Sequence, residues 1–375
     1  MRVAILGTRG IPANYGGFET FAEELAVRLA VRGHEVRVYC RETHDFKAYR
    51  GVRLIDLPTL RHKYLDTLAH TFLSTLHLVM HRVDVALYCN AANAIFTILP
   101  RIAGIPVALN VDGIERKRRK WNVLARAWYQ CSEYLSTILP NKFVTDAEAI
   151  REYYKERYDK DSLFIGYGAD LGRVETQGEL NRLGLDPLHY FLYVSRMEPE
   201  NRALEVRRAF EQVRTTMKLA LVGDAPYADE YIREVRNTTD MRVVMPGAIY
   251  GLGYRELGSL CFAYIHATEV GGTHPALIEA MGRGNLVLYL ETPENTEVCG
   301  DAGLPYRDAS GLEARIEEAL SMTEAERDVY QQRAAQRARE RYDWETVTTQ
   351  YEMLLEGLRP EGLRPEGLRK DGLRK

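Results

Sequence analysis

This chain is predicted to be an α/β protein made of two doubly wound domains, and three observations predict it. Short apolar runs rich in β-formers alternate with helical patterns along both halves, as they do where helices cover a parallel sheet. The chain has 375 residues, more than one hydrophobic core usually serves. Glycine-rich segments follow a strand and open a helix in each half, where open parallel sheets hold their ligands.

The composition is that of an ordinary globular protein, 46% hydrophobic and 27% charged, and its net charge of -3 gives no general attraction to nucleic acid. Cys40, Cys89, Cys131, Cys261 and Cys299 stand far apart, which argues against a zinc knuckle or disulfide framework and fits a reducing, cytoplasmic location. The opening residues run directly into a strand, so no secretion signal is expected. Residues 94–111 are the most apolar region, but Pro100, Arg101 and Pro106 interrupt it, so no bilayer span is expected.

In the first half, strands are expected at residues 3–6, 36–40, 52–57, 85–89, 107–111 and 143–145. Phe18, Phe21, Ala22, Leu25 and Leu29 recur at helical spacing, Glu19, Glu23 and Glu24 face elsewhere, and Gly33 stands at the C-cap, so a helix is predicted over 17–32. The loop ahead of it is rich in glycine but is no dinucleotide fingerprint, because two residues separate Gly7 from Gly10. A dehydrogenase is therefore poorly supported. Gly16 and Gly17 either reach toward a phosphate or sugar or simply make the turn. Asp112, before Gly113, either orients a hydroxyl or accepts a proton as a carboxylate at a strand end, or serves as a turn aspartate.

Arg116, Lys117, Arg118, Arg119 and Lys120, followed by Trp121, Trp128 and Tyr129, form the densest positive patch of the chain. Such a cluster holds an anionic membrane surface or a lipid diphosphate, or it is a solvated helix face. His77 and His81 share the i, i+4 spacing of zinc ligands. The glutamate of H-E-x-x-H is missing between them and no third ligand is evident, so no metal is expected.

The second half repeats the plan, with strands expected at 190–195, 219–222, 243–245, 264–267 and 286–290. Its most informative stretch is 266–281. Gly271 and Gly272 allow close backbone approach, and Pro275 suits a first helical position, so the helix N-terminus there offers amides and a positive dipole end to a phosphate. Glu279, one turn further in, is placed to accept hydrogen bonds from a ribose or sugar hydroxyl. The alternative is a loop-to-helix junction that binds nothing. From position 356 a five-residue Glu-Gly-Leu-Arg-Pro repeat, with glycine in every unit, reads as an appendage that buries no core.

Several of these segments, in this order, resemble the GT-B glycosyltransferases of family four, and most closely their bacterial rhamnosyltransferase-like branch. They are residues 7–24, Asn110 to Glu115 with Lys120 and Trp121, Tyr167 to Asp170, Ser195 to Asn201, 266–281 and Tyr342 to Glu345. The resemblance implies two Rossmann-like domains facing across a cleft. An acceptor-side domain over 1–168 would be joined by a crossing helix over 344–356, a nucleotide-sugar domain would span 169–343, and a low-complexity tail 357–375. It further implies that Arg196 contacts the diphosphate, the Gly271, Gly272 and Thr273 backbone the phosphate, and Glu279 the ribose. A guanidinium and fixed N–H dipoles would stabilise the charge that builds on a departing diphosphate.

Two departures from the family pattern stand out. Asn201 occupies the position where many members carry a second phosphate-binding lysine, and Arg202 is the candidate substitute. In the common Glu-x7-Glu motif the first glutamate reads the transferred sugar, but that position is Gly271 here, leaving Glu269, His266 or His274 for the role. The resemblance implies a retaining transferase that needs no covalent nucleophile, cofactor or metal. It would move a hexose or deoxyhexose from a dTDP- or UDP-linked donor, with dTDP-L-rhamnose the first choice, to a lipid-linked cell-surface glycan at an anionic cytoplasmic leaflet. A sugar-nucleotide epimerase and a non-catalytic nucleotide-sugar-binding subunit are the alternatives.

Overall fold

Strands of Val, Ile, Leu and Tyr, buried on both faces, organise each half of the chain. The computed structural model describes residues 1–13, 16–60, 65–117, 121–225 and 228–359, which divide into two units. The first comprises Met1–Tyr167 and the C-terminal helix, the second Gly168–Asp343.

The first unit contains an eight-stranded sheet: β1 (Arg2–Leu6), β2 (Glu35–Cys40), β3 (Ala48–Tyr49), β4 (Val52–Asp56), β5 (Val85–Cys89), β6 (Val107–Asn110), β7 (Lys142–Thr145) and β8 (Leu163–Phe164). The order is β3-β4-β2-β1-β5-β6-β7-β8, parallel throughout except for the β3–β4 pair. Two-residue strands such as β3 and β8 are too short to show a period, and the sequence gives no sign of them. The helix Gly17–Val31 buries Phe21, Ala22, Leu25 and Leu29, and Gly33 beyond it takes the left-handed φ of 87° that a C-cap glycine supplies.

The C-terminal helix Trp344–Leu358 belongs to the same unit, packing on Gly17–Val31 and β5. Its Tyr351 ring lies 5.1 Å from Phe21, and its Trp344 lies 5.3 Å from Tyr167. Arg32 joins it to the first helix, reaching Glu345 and Glu352 at 2.7 Å each. The helix runs through Leu358, two residues into the segment read from sequence as a tail. Positions 360–375 lie outside the described residues.

The second unit contains a six-stranded, all-parallel sheet: β9 (Tyr190–Val194), β10 (Lys218–Val222), β11 (Val243–Gly247), β12 (Ala263–His266), β13 (Leu286–Leu290) and β14 (Leu304–Tyr306). Its order is β11-β10-β9-β12-β13-β14. Phe191, Phe210 and Phe262 cluster in its core. β14 was not expected because it carries Pro305, which an edge strand tolerates. Among the described residues, no helix is long and apolar enough to cross a membrane.

Candidate active site

The order of the second sheet reverses between β9 and β12, and at such a switch point the loops leaving two adjacent strands part and leave room for a ligand. The loop after β9 carries Arg196 and the turn Pro199–Asn201; the loop after β12 leads into the helix Pro275–Gly282. These loops are tied to each other. The Glu269 amide donates to the Glu200 carbonyl at 2.9 Å, the Arg202 guanidinium pairs with the Glu269 carboxylate, and the Tyr264 hydroxyl donates to the Val194 carbonyl at 3.2 Å. The loop after β10 closes on the same place. At Gly223, with φ of 151°, a Cβ would fall 1.8 Å from the Ser195 carbonyl oxygen, so only glycine fits.

Pro275 is the first residue of its helix, preceded by His274 with extended backbone and no side-chain cap. The Leu277 and Ile278 amides both donate to the His274 carbonyl, at 3.1 and 3.2 Å, and the positive end of the helix dipole at this mouth suits an anion. Gly271, Gly272 and Thr273 ahead of it are buried. A Cβ on Gly271 would lie 2.3 Å from His274 Nε2, so the imidazole sits directly on the glycine backbone. Fully buried Asn295 fixes that ring. Its Nδ2 donates to the carbonyls of Thr268 at 3.0 Å and Leu290 at 2.9 Å, which turns its Oδ1 to His274 Nδ1 at 3.0 Å and places the proton on Nδ1. His266 Nε2 stands 3.2 Å from the same nitrogen. Burial, and next the neighbouring His274, hold the His266 pKa well below the ordinary imidazole value, so His266 offers a neutral ring and not a cation.

Arg196 keeps 32% of its side chain exposed and makes one loose pair, Nη1 to Glu198 Oε2 at 3.7 Å. Asn201 braces its loop. The Asn201 Nδ2 donates to the Arg196 carbonyl, and its own carbonyl accepts from the Tyr193 hydroxyl, both at 2.7 Å. Arg202 answers two carboxylates, Glu205 at 3.1 Å and Glu269, so much of its charge is neutralised within the protein. Glu279 is held by the Tyr254 hydroxyl, which donates to its Oε2 at 2.5 Å, and by Arg283 at 3.6 Å.

The other residues named from sequence lie in the first unit, on different loops. Gly16 caps the first helix and Gly17 begins it, with its carbonyl accepting from the Tyr167 hydroxyl. Asp112 follows β6 with a left-handed φ of 58°, which few residues other than glycine, Asn and Asp adopt. Its amide donates to Asn110 Oδ1 at 3.0 Å, and Asn110 Nδ2 donates to the Tyr351 hydroxyl at 2.7 Å, so the C-terminal helix steadies this corner. Of the basic run, only Arg116 and Lys117 lie among the described residues. Arg116 turns inward, its Nε 3.0 Å from Oε1 of buried Glu133 and its Nη2 donating to the Tyr153 hydroxyl at 2.6 Å. Lys117 is exposed and Trp121 packs 5.2 Å from Tyr129, while Arg118, Arg119 and Lys120 lie outside the described residues.

Among the described residues, two groups of side chains have metal-ligating chemistry and spacing: Cys40 with His44 and Asp56, and His34 with Glu352 and Glu356. Both are engaged in other ways. His44 Nδ1 bonds Asp56 at 2.9 Å, burial pushes the Cys40 thiol up to about 12, and His34 Nε2 bonds Glu352 at 2.5 Å. His77, whose Nδ1 bonds the Tyr39 hydroxyl at 3.1 Å, stacks on His81 at 3.9 Å. Sequence reasoning missed Gly223, Tyr254 and Asn295. Only Gly223 carried a signal, a glycine directly after a buried strand.

The family described as Domain of unknown function (DUF1972) matches residues 1–170. No curated protein sequence matches the chain. Among solved structures, the chain is similar to Anabaena Alr3699/HepE in complex with UDP-glucose, at 17% identity and a TM-score of 0.78, over 96% of this chain and 100% of that one. It is also similar to the sucrose-phosphate synthase of Thermosynechococcus elongatus, at 18% identity and 0.77, over 95% and 98% of the two chains. A third likeness is to WaaG, a glycosyltransferase involved in lipopolysaccharide biosynthesis, at 17% identity and 0.72, over 95% and 100%. The fold is GT-B, two Rossmann-like α/β units.

Proposed function

We propose that this protein is a retaining glycosyltransferase that takes its donor, a nucleotide sugar, at the switch point of the second unit. One observation carries the reading. Arg196 from the loop after β9 and the buried Gly271 to Thr273 backbone at the mouth of Pro275–Gly282 belong to two loops bonded to each other beside a topological switch point. That arrangement suits a diphosphate, with a guanidinium and backbone dipoles fixed before charge develops. The UDP and UDP-glucose complexes of the HepE structures support a nucleotide sugar as the ligand.

In this reading, the bond from the sugar's anomeric carbon to the diphosphate breaks as the bond to the acceptor oxygen forms on the same face. The acceptor's proton passes to the departing phosphate. Arg196 and the loop amides stabilise the leaving charge, Glu279 accepts from the ribose hydroxyls, and Tyr254 keeps its carboxylate oriented. Glu269, fixed by Arg202, neutral His266, and His274 serve the sugar. Asp112 serves the acceptor hydroxyl. The donor is a hexose or deoxyhexose nucleotide, with dTDP-L-rhamnose first and UDP-glucose second. The acceptor is a lipid-linked glycan at an anionic membrane surface, a role to which the lipopolysaccharide connection of WaaG lends support.

Incubating the protein with candidate donors and a lipid-linked acceptor tests this directly: transfer is expected. Isomerised sugar from donor alone would favour the epimerase, and binding without turnover would favour the non-catalytic subunit.

A further inference from the structure

Two helices of the first unit bury mostly polar side chains, beside Leu78 in one and Tyr129 in the other, and turn apolar side chains outward. Helix Asp66–Met80 turns His70, Thr71, Ser74 and Thr75 inward, fully buried, while Phe72, Leu76 and Met80 on its outer face are exposed, Met80 by 71%. Helix Val123–Ser136 buries Ser132, Glu133 and Ser136, while Leu124, Ala127, Cys131 and Tyr134 are exposed at helical i, i+3, i+7, i+10 spacing, Leu124 by 80%. A helix on a water-facing surface does the reverse. Segment 91–102 packs against both helices and adds Ile102, 78% exposed, so the outward apolar groups belong to neighbouring elements and not to isolated positions. Exposed apolar area of this extent marks an interaction surface.

The charge around these elements decides what they meet. The described residues of 57–83, 90–106 and 113–142 carry six Lys and Arg against three Asp and Glu, in a chain whose net charge is -3. Two of those acids are answered internally, Asp66 by Arg41 at 2.9 Å and Glu133 by Arg116. Between Asp66 and Arg82 there is no charged side chain at all. A second copy seated on this face about a two-fold axis would set like charges against each other. The C-terminal repeat over 360–375, with five Lys and Arg against three acids, is no better complement. An apolar face bordered by cations and carrying Tyr134 and Trp121 matches the headgroup boundary of an anionic bilayer.

We infer that the outer faces of Asp66–Met80 and Val123–Ser136, with Ile102 between them, dock on an anionic lipid bilayer, and that the membrane contact is this apolar face and not the basic run alone. The inference sharpens the proposed work on a lipid-linked acceptor but stands on surface chemistry that is independent of the donor.

Sedimentation with vesicles of about 30% phosphatidylglycerol in phosphatidylcholine tests it on the full chain. The triple variant M80Q/I102Q/L124Q, whose sites are exposed and cost the fold little, is expected to lower vesicle partitioning at least about tenfold. The pair K117E/R126E is expected to weaken binding at low salt, and pure phosphatidylcholine vesicles to retain less wild-type protein. Nucleotide-sugar binding by both variants, read by calorimetry, is expected to match wild type. The inference is overturned if the triple variant partitions like wild type. It is equally overturned if wild type ignores anionic vesicles while running as a dimer that the triple variant dissolves. Vesicle binding without any nucleotide binding would defeat the transferase reading and leave this one standing.

Discussion

Arg196, on the loop after β9 at the switch point, and His266, at the end of β12, differ in charge. Arg196 is a cation with a single loose partner, so in Arg196→Ala the donor's departing charge loses its guanidinium; kcat/KM is expected to fall about a hundredfold or more with an unchanged unfolding midpoint. Steady-state kinetics and thermal denaturation of the same sample check both halves of that statement. His266 is neutral when folded, whereas the unfolded chain binds a proton near the ordinary imidazole pKa of about 6.5. The unfolded state then holds more protons, so this residue subtracts stability as pH falls below that value. Melting curves between about pH 7 and about pH 5 are expected to show a flatter pH dependence in His266→Gln than in wild type. The sequence disclosed residues whose type and neighbours carry meaning: Arg196, the Gly271 and Gly272 pair, Glu279. It could not disclose Asn295, whose importance lies in three partners brought together only by folding, or the inward turn of Arg116, which depends on Glu133 and Tyr153 across the unit.

The helix Pro275–Gly282 and the glycine loop before it act as one element because His274 lies against Gly271. Gly271→Ala would drive its methyl into that imidazole and is expected to weaken nucleotide binding at least about tenfold. Adding His274→Ala removes the obstruction, and calorimetry is expected to show partial recovery in the double variant. The C-terminal helix acts as an element of the first unit. Trp344→Ala is expected to cost about 3 kcal/mol and Tyr351→Phe, which leaves Asn110 Nδ2 without its acceptor, about 1 kcal/mol, both measured by chemical denaturation. Long elements with clear periods were legible in sequence, including the helix from Gly17 and the strands that became β5 and β13. Elements of two or three residues were not, because β3, β8 and β14 take their identity from the neighbouring strand they pair with.

At the scale of the molecule, two parallel sheets each place loops at the carboxyl ends of strands beside a reversal of strand order, β9 with β12 in one unit and β1 with β5 in the other. The loops at the reversal of the second unit carry backbone amides and a guanidinium, while in the first unit a left-handed aspartate follows β6 and the outward apolar face lies on two helices. The central claim is that a nucleotide diphosphate binds between Arg196 and the mouth of Pro275–Gly282. Calorimetric titration of UDP- and dTDP-sugars into wild type and Arg196→Ala tests it most directly. One nucleotide bound per wild-type chain, with affinity reduced at least about tenfold in the variant, is the predicted result; equal affinity in the two proteins, or no binding to wild type by any donor, would contradict it.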